Sequence, residues 1–393
     1  MKRRKSGSFK KILREFDKDF ARVMIPWIIR HPKYFFAAPR LSRSFNRSER
    51  LRLKASSEGL VVPPYLILSI TNQCNLRCAG CYAASVGTID KTSGKPRSRE
   101  QHSLDKEKWR EIISEARDLG VLGFILAGGE PFMFPGLLDL VAEFKELIFV
   151  IFTNGTVITD QVFKRLKKLA NVAVIASIEG NKKMTDERRG KGVYDRVITT
   201  IKKLNKAGVF SGISVTVNTL NYDYWIDHEN VDTLIRDGVR MGFFLEYIPS
   251  KLPGECASKK GLGEGGFDDS ILMLSPKQRA ELRKKILDYR ANKKIILVHS
   301  PGDEEFMGGC ISAGRGFAHV TPAGDVTPCP VSDIATHNLK HSSLRDALGS
   351  ELFEVIRESE HLLETEGTPC ALYAHQEEVE TLMNSIGAYR ANS

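Results

Sequence analysis

The sequence predicts an α/β protein in which a parallel sheet is covered by helices. Six continuous apolar segments alternate with helical patterns between residues 65 and 248. Continuous apolar strands are typical of strands buried on both faces, and regular strand–helix alternation is typical of parallel sheets. The 393 residues are enough for two or three domains, and the 42% hydrophobic content is ordinary for a globular protein.

The predicted strands and helices follow one another along the chain. The strands are expected at residues 65–71, 121–127, 148–153, 172–178, 212–218 and 243–248. The first helix repeats apolar residues at helical spacing from Trp109 to Leu119, and we expect Gly120 to end it in a left-handed conformation. Further helices are expected near residues 136–146, 159–170, 193–208 and 229–237. These patterns alone do not separate a barrel from a doubly wound sheet.

The basic charge is concentrated in an N-terminal arm, residues 1–60. Residues 1–54 contain 17 of the 58 Lys and Arg but only 4 of the 48 Asp and Glu, which gives them a net charge of +13. Because the net charge of the whole chain is +10, the remaining residues carry a net charge of −3. Apolar residues from Phe9 to Met24 recur at helical spacing opposite basic ones, and Pro26 is expected to end or kink that helix.

Two interpretations of the arm remain open. Its apolar stripe packs on the body of the protein, or it lies on an anionic membrane surface, since Trp27, Phe35 and Phe36 stand among Lys and Arg. Nucleic acid is disfavoured because no nucleic-acid-binding module accompanies the basic residues.

Cysteine use and hydropathy predict a cytoplasmic protein, peripheral on the inner face of the membrane if the arm binds lipid. The seven cysteines are odd in number and clustered, which suits metal binding better than a disulfide scaffold. We find neither an apolar run long enough to cross a bilayer nor the apolar region of a signal peptide.

Three cysteines, Cys74, Cys78 and Cys81, lie within eight residues. Three thiolates at this spacing can hold three irons of a four-iron cluster and leave the fourth iron open to a substrate or cosubstrate. The alternative is a zinc knuckle, which needs four ligands that usually come in closely spaced pairs. The nearest further candidate, His102, is 21 residues beyond Cys81 in a polar segment, which makes zinc the less favoured interpretation.

The cysteine motif and the later strand ending in Gly-Gly-Glu-Pro (residues 128–131) together resemble the radical S-adenosylmethionine superfamily over about residues 62–250. The resemblance implies a partial (β/α)6 barrel with a 4Fe–4S cluster at the carboxyl ends of its strands. It further implies that S-adenosylmethionine binds the open iron and accepts an electron from a low-potential donor of the ferredoxin or flavodoxin type. The resulting 5′-deoxyadenosyl radical takes hydrogen from an unactivated C–H bond.

The resemblance and the residue types together predict the contacts to S-adenosylmethionine. Gly128 and Gly129 would let the backbone approach the ligand, Glu130 would pair with the methionine ammonium group, and Tyr82 would contact adenine. Polar residues at the ends of the third, fourth and fifth strands complete the predicted set: Asn154, Ser177, Glu179 and Asn218. Each of these also has an ordinary structural interpretation as a turn or helix cap.

Two further sets of polar residues receive no functional assignment. The run at 188–194 after the fourth strand is expected to be mostly a solvated loop. Among the nine histidines, His299 and His319 lie near the C-terminal cysteines, but a lone histidine is more often a structural residue than a ligand. No residue is assigned a catalytic role.

Three more cysteines, Cys310, Cys329 and Cys370, occur in the C-terminal part of the chain, and a hairpin is predicted around residues 322–325 between the first two. Their spacing resembles the SPASM/twitch extension of radical S-adenosylmethionine enzymes, which implies an auxiliary iron–sulfur cluster. The later cysteines of a second auxiliary cluster are missing, so we expect one. The fourth ligand of this auxiliary cluster is left undecided: it is Cys256, His375, or no protein residue.

Three domains are therefore predicted: the arm at 1–60, a radical S-adenosylmethionine core at 61–280, and a small α+β auxiliary-cluster domain at 281–393. The primary hypothesis is an enzyme that acts on a peptide, lipid or cofactor precursor. One alternative is a non-catalytic metal-binding adaptor docked to membrane or RNA. The other is a radical methylase, for which the sequence shows no cobalamin-binding motif.

Overall fold

The structure is a computed structural model, and it describes residues 20–89, 103–249, 269–365 and 367–391. Its centre is a ten-stranded sheet with the order β11-β9-β8-β1-β2-β3-β4-β5-β6-β7. Strands β10 and β12 form a separate antiparallel pair. The strands are β1 (Tyr65–Thr71), β2 (Gly123–Gly128), β3 (Ile148–Thr153), β4 (Val172–Ser177), β5 (Phe210–Val217), β6 (Met241–Glu246), β7 (Ile296–Ser300), β8 (Phe317–Val320), β9 (Asp325–Thr327), β10 (Ile334–Ala335), β11 (His337–Asn338) and β12 (Tyr389–Arg390).

Helices connect the parallel strands and cover the sheet. They are α1 (residues 20–30), α2 (Pro32–Ser57), α3 (Tyr82–Ser85), α4 (Lys106–Leu119), α5 (Leu137–Glu143), α6 (Asp160–Leu166), α7 (Lys182–Arg189), α8 (Val193–Lys206), α9 (Tyr222–Ile226), α10 (His228–Arg236), α11 (Pro276–Asn292), α12 (Leu344–Leu348), α13 (Glu351–Glu358), α14 (Ala371–Ala374) and α15 (Gln376–Ser385). Short 3-10 turns lie at Pro131–Met133, Asp269–Leu272, Glu304–Met307 and Glu360–Leu363.

The predicted α/β class is confirmed. The six expected strands are β1 to β6, paired in parallel and in chain order. Strands β1 and β3 have the predicted bounds, and the others begin or end within two residues of them. Gly120 ends α4 at φ 108°, as its position predicted. The core on one side of the sheet is built from apolar residues of these strands and of α4, which buries Trp109, Ile112, Ile113 and Ala116.

Two local details differ from expectation, and one strand was not predicted. The helix containing Pro26 continues to residue 30, so Pro26 does not end it, and a kink at Pro26 stays a prediction. Residues 182–189, expected in part to be loop, form α7, whose N-cap Asn181 accepts a hydrogen bond from Met184 N at 3.0 Å. The seventh parallel strand, β7, was not predicted, although Ile295, Ile296 and Leu297 form an apolar run that is fully buried.

The C-terminal segment continues the central sheet at both edges. Strand β7 pairs in parallel with β6, and β8 pairs in parallel with β1. The predicted hairpin is present, because β8 and β9 are antiparallel. Buried His319 of β8 lies 2.8 Å from Ser69 Oγ of β1 and 2.8 Å from Thr327 Oγ1 of β9. The division at residues 60 and 280 therefore stays a prediction about domains, while the sheet itself is continuous.

The arm packs against the residues that begin β5 and β7. Val23, Trp27 and Tyr34 are buried against Phe210 and Ile296. The Tyr34 hydroxyl donates to Gly208 O at 3.2 Å and accepts from Phe210 N at 3.0 Å. The packing interpretation is thus correct for one face of α1 and α2, and residues 1–19 lie outside the described part of the chain. Among the described residues, none of the helices combines the length and the apolar content needed to cross a membrane.

Candidate functional site

The first three cysteines follow the carboxyl end of β1. Cys74, Cys78 and Cys81 lie on the loop between β1 and α3, and all three are partly exposed thiols. Burial and, to a smaller extent, the nearby charges of Glu130, Cys78 and Cys81 raise the pKa of Cys74 to about 11. The loop therefore gathers the three sulfurs at the edge of the sheet where parallel α/β proteins bind their ligands.

Arg188 of α7 holds this cysteine loop in place. Its Nε donates to Ala79 O at 3.0 Å and its Nη2 donates to Gly80 O at 3.1 Å. Its own carbonyl oxygen accepts from Ala79 N at 2.9 Å. The segment between Cys78 and Cys81 is thus bound from both sides by one residue that sequence reasoning had placed in a solvated loop.

Glu179, predicted as a cofactor contact, anchors that arginine. Its Oε1 lies 2.7 Å from Arg188 Nη1 and 2.6 Å from Arg189 Nη2, and its side chain is 3% exposed. Burial raises the pKa of Cys78, and the positive charges of Arg189 and Arg188 act in the opposite direction. The two guanidinium groups therefore favour a thiolate at Cys78, the form that binds metal.

Gly128 and Gly129 allow a close backbone approach, but the partner is protein. A Cβ on Gly129 would lie 2.1 Å from Gln73 O, and one on Gly128 would lie 2.5 Å from Thr71 O. Gly129 N donates to Thr71 O at 2.8 Å, and Glu130 N donates to Gln73 O at 2.7 Å. The glycines therefore fix the segment that leads directly into Cys74.

Glu130 is completely buried and joins the ends of β2 and β3. Its Oε1 accepts from Thr153 Oγ1 at 2.7 Å and from Phe132 N at 3.2 Å, and its Oε2 accepts from Asn154 N at 2.7 Å. Burial raises the pKa of Glu130 to about 7, and these hydrogen bonds limit the rise. A carboxylate offers about four lone-pair sites, so one further donor can still be accepted. Its pairing with an ammonium group stays a prediction.

Two other predicted cofactor residues lie beside the cysteines. Asn154 Nδ2 is 3.9 Å from Cys74 Sγ and donates to Asn75 Oδ1 at 2.8 Å. The Tyr82 hydroxyl accepts from Gly128 N at 3.3 Å, so the ring lies next to the end of β2. Both positions agree with a shared site, and their ligand contacts stay predictions.

The remaining predicted residues, Ser177 and Asn218, stand at the ends of β4 and β5. Asn218 Oδ1 accepts from Leu220 N at 2.9 Å, which closes the turn after β5. This is the capping role that was weighed against ligand binding. Ser177 is partly exposed at the last position of β4.

Tyr247 belongs to this site but was missed in the sequence. It follows β6 and is 8% exposed, and its ring carbon Cε2 is 3.8 Å from the position of a Cβ on Gly80. An aromatic residue directly after a strand that ends at the binding edge was the available signal.

One buried oxygen atom in this region could accept a hydrogen bond from a polar ligand. Glu179 Oε2 is inaccessible to solvent and has no hydrogen-bond partner among the described residues. Buried polar atoms are almost always paired in native proteins, so an orphaned acceptor here suits a bound group that carries a donor. The three thiols, the two arginines and this oxygen form a donor set that fits an iron–sulfur cluster with a polar cofactor beside it.

Within residues 20–89, 103–249, 269–365 and 367–391, no three His, Cys, Asp or Glu side chains are arranged to hold a single metal ion. In a four-iron cluster each cysteine binds a different iron, so the sulfurs are spread around a larger group.

The structure also brings the C-terminal cysteines together. Burial raises the pKa of Cys329 well above its usual value, and the charges of Cys370 and Cys310 raise it further. Ala313 N donates to Pro328 O at 3.1 Å, and Cys310 N donates to Leu363 O at 2.6 Å, so backbone hydrogen bonds connect the three segments. Of the suggested fourth ligands, Cys256 lies outside the described residues, and the His375 ring instead packs edge-on against His361 at 5.4 Å.

The two groups of cysteines lie at opposite ends of β1. Cys74 follows the Thr71 end. Phe317 pairs with Tyr65 at the other end, and Phe317 N donates to Ile311 O, next to Cys310, at 3.2 Å. Cys329 follows β9, which runs toward that same end.

Comparisons with known proteins agree with this architecture. Residues 68–233 match the family model of the radical SAM superfamily, whose members use a 4Fe–4S cluster and S-adenosylmethionine. The chain is 28% identical over 288 residues to the sporulation killing factor maturation protein SkfB of Bacillus subtilis, covering 72% of this chain and 64% of that protein. It is 28% identical over 340 residues to the mycofactocin maturase MftC of Mycolicibacterium smegmatis, covering 81% of this chain and 76% of that protein.

A solved structure shows the same fold. Streptococcus suis SuiB bound to its precursor peptide SuiA superimposes with a TM-score of 0.62 at 19% identity, covering 83% of this chain and 73% of SuiB. The chain spans slightly less than two thirds of the length of SkfB. The chain therefore contains a radical S-adenosylmethionine domain at residues 68–233 and is similar over most of its length to maturation enzymes of the SPASM/twitch type.

Proposed function

We propose that this protein reductively cleaves S-adenosylmethionine to a 5′-deoxyadenosyl radical and abstracts hydrogen from an unactivated C–H bond of a peptide. The observation that carries the proposal is the cysteine loop at the carboxyl end of β1, fixed by Arg188 beside the orphaned oxygen of Glu179. The relatives named above are maturation enzymes, and SuiB was solved with a precursor peptide, which supports a peptide as the substrate class.

The proposal assigns roles to residues of this chain. Cys74, Cys78 and Cys81 would hold a 4Fe–4S cluster, which supplies the electron that splits the sulfonium. Gly128 and Gly129 hold the backbone before Cys74, and Arg188 holds the loop after Cys78. These contacts leave the cysteines little freedom, and a reaction that depends on near contact between the reacting atoms needs such fixed positions.

A second, auxiliary 4Fe–4S cluster would be held by Cys310, Cys329 and Cys370. Their convergence in a largely apolar part of the core supports it, since Cys310 and Cys370 pack against the main apolar cluster. Burial raises the pKa of Cys310 to about 12, so in the absence of a metal this thiol would stay protonated. A buried group of three such thiols is stable as thiolates when iron compensates their charge.

Iron analysis and a cleavage assay test both sites. Protein purified anaerobically should contain about eight irons per chain and release 5′-deoxyadenosine with dithionite or reduced flavodoxin. Cys78→Ala should lose about four irons and the cleavage activity, whereas the matched variant Cys329→Ala should lose about four irons and keep cleavage. Protein without iron, or Cys78→Ala with undiminished nucleoside release, would contradict the proposal.

We further propose that the arm attaches the protein to an anionic membrane surface. While one face of α1 and α2 is buried, the other exposes Ile25, Ile29, Phe35 and Phe36, which are 57–75% exposed. Residues 20–54 contain nine Lys and Arg but one acidic residue, Glu49. Exposed aromatic and aliphatic side chains within a cationic segment are typical of interfacial helices.

Vesicle flotation tests this attachment without removing the arm, because its deletion would uncover Phe210 and Ile296. The wild type should float with phosphatidylserine vesicles, and Phe35→Ser with Phe36→Ser should stay in the soluble fraction. The control is Leu220→Ser, which replaces a side chain that is 73% exposed elsewhere on the molecule. Equal flotation of all three proteins, or none by the wild type, would rule the attachment out.

A further inference from the structure

Two aromatic rings meet on the inner face of the central sheet. The Phe152 ring of β3 and the Phe243 ring of β6 pack edge-on with their centres 4.9 Å apart. Two strands, β4 and β5, lie between β3 and β6, so a flat sheet would hold them about 14 Å apart. The rings of this aromatic pair can therefore meet only if the sheet is strongly curved and both rings point into its concave side.

The register of the strands extends this inner face across the sheet. Phe152 pairs with Ile175 of β4, and Phe243 pairs with Ser214 of β5, which in turn pairs with Ser177. Paired residues of neighbouring strands point to the same face, and alternate residues of one strand point to opposite faces. In β3 and β6 the inner positions are partly exposed while the alternate positions are buried. A fully packed interior would bury both sets, so the inner face borders open space.

The side chains that face this space are apolar or carry a hydroxyl group. Beyond the aromatic pair, toward the carboxyl ends of the strands, the inner positions hold Ser177, Thr216 and Leu245. Within the described strands β2 to β7, every inner position has an uncharged side chain. Glu246, the last residue of β6, points to the other face and pairs with Arg279 of α11 at 2.5 Å. A charged group that entered the interior would thus meet no charge of opposite sign on these strands.

The N-terminal arm covers the amino end of the same interior. Phe210 of β5 and Ile296 of β7, the first inner residues of their strands, pack with Val23 and Trp27 of α1. The carboxyl end, where the cysteine loop lies, is therefore left for entry. The aromatic pair forms the floor between this entrance and the arm.

We propose that Phe152 and Phe243 form the floor of the substrate pocket and select an apolar side chain of the peptide for hydrogen abstraction. This inference rests on the proposed function and adds to it the class of side chain and the two residues that recognise it. Partly exposed rings gain from contact with an aliphatic or aromatic group. An ammonium or carboxylate group would instead lose its water without gaining a charged partner.

Two deuterated probes test the selection in the full chain, purified anaerobically and supplied with S-adenosylmethionine and dithionite. They are N-acetyl-leucinamide and N-acetyl-lysinamide, each with a fully deuterated side chain and offered separately. Deuterium in the released 5′-deoxyadenosine reports hydrogen taken from the side chain, and the total nucleoside reports cleavage. Per nucleoside released, the leucine probe should give at least about tenfold more label than the lysine probe.

Substitutions on the floor should change this preference. Phe243→Glu places a carboxylate where the side chain of the probe enters, so the ratio of lysine to leucine label should rise about tenfold. Phe243→Ala removes the apolar contact and should lower the leucine label about tenfold. The matched control is Phe163→Ala, which removes a partly buried ring on α6, where Lys203 Nζ lies 5.5 Å from the ring centre. This control should behave as the wild type.

The outcomes separate this inference from the proposed function. Nucleoside release by the wild type with equal label from both probes, or with none from either, would overturn the selection and leave the cleavage reaction in place. An unchanged label ratio in Phe243→Glu would overturn it too, and if that variant does not fold, an undiminished leucine label in Phe243→Ala decides in the same way. A wild type that releases no 5′-deoxyadenosine would contradict the proposed function itself.

Discussion

Arg188 and Glu179 form a buried ion pair of 2.7 Å that ties α7 to the end of β4, and the same guanidinium holds the cysteine loop through Ala79 O and Gly80 O. One side chain thus links a strand end, a helix and the segment between two cysteines. Its geometry matters for metal content as well as for folding.

Replacing Arg188 by Ala should release the cysteine loop and leave Glu179 with one cationic partner. We expect at least a twofold loss of iron at the first site and a drop of ~1.5–3 kcal/mol in the free energy of unfolding, the usual range for a hydrogen bond to a charged group. Iron analysis and urea titration under anaerobic conditions measure these effects. Lys183→Ala, on the exposed side of the same helix, should change neither, and equal iron in both variants would contradict the role of Arg188.

Gly129→Ala should disturb the approach to Cys74 by steric overlap alone. Its Cβ would lie 2.1 Å from Gln73 O, so the backbone must move, at a cost of about 1–3 kcal/mol or more. We expect a lower midpoint of thermal unfolding and reduced iron binding. Gly349→Ala is the matched control, because its Cβ would meet nothing closer than 3.5 Å and its φ is −88°. Similar behaviour of the two variants would show that the overlap is relieved without consequence.

His319 makes the stability of the protein depend on pH. Burial lowers the pKa of His319 to about 3 from its ordinary value of 6.5, so between these values the unfolded chain takes up a proton that the folded chain does not. This contribution to stability is complete above pH 6.5 and is lost as the pH falls toward 3. At pH 5 the loss is about 2 kcal/mol.

The His319→Gln variant isolates this effect, because glutamine does not titrate and can still bond to Ser69 and Thr327. Urea unfolding of both proteins at pH 7 and pH 5 gives the comparison. Relative to the variant, the wild type should lose about 2 kcal/mol on acidification. Parallel losses in the two proteins would mean that His319 is protonated in the folded state or is not the group responsible.

Trp27 and Ile29 both belong to α1, but one is buried and the other is exposed, so their substitutions should differ in their effect on stability. Trp27 is 4% exposed and meets Phe210 edge-on at 5.6 Å, so Trp27→Ala should cost about 3–5 kcal/mol through lost burial and a cavity. Ile29 is 75% exposed, and Ile29→Ala should change stability by less than ~0.5 kcal/mol. Thermal unfolding measures both. A small effect at Trp27 would mean that the arm is not bound to the body.

The sequence predicted the elements whose pattern is local. Strand β1 and strand β3 were found because each is an apolar run bounded by polar turns, and α4 because its apolar residues repeat at helical spacing before Gly120. Helix α7 was missed because Lys182–Arg189 carries a single buried residue, Thr185, and no apolar stripe. Its N-cap Asn181 was the one signal available.

The site was predictable where chemistry depends on residue type and spacing, as for Cys74, Cys78 and Cys81. Arg188 was not, because a charged residue in a polar segment is normally solvated, and its burial arises from contacts with Ala79 and Gly80, which are distant in the chain. The pairing of β8 with β1 is of the same kind, since it joins residues about 250 positions apart.

Strand β1 has seven residues, a span of about 20 Å, and it separates the two proposed metal sites. Hydrogen transfer requires the reacting atoms to be about 3–3.5 Å apart, so a group at the Tyr65 end cannot touch a substrate atom attacked at the Thr71 end. An electron, by contrast, can pass between centres that share no contact. The continuous sheet would keep that distance constant, so under the proposed function the C-terminal centre would exchange electrons with the first site without contacting the attacked atom.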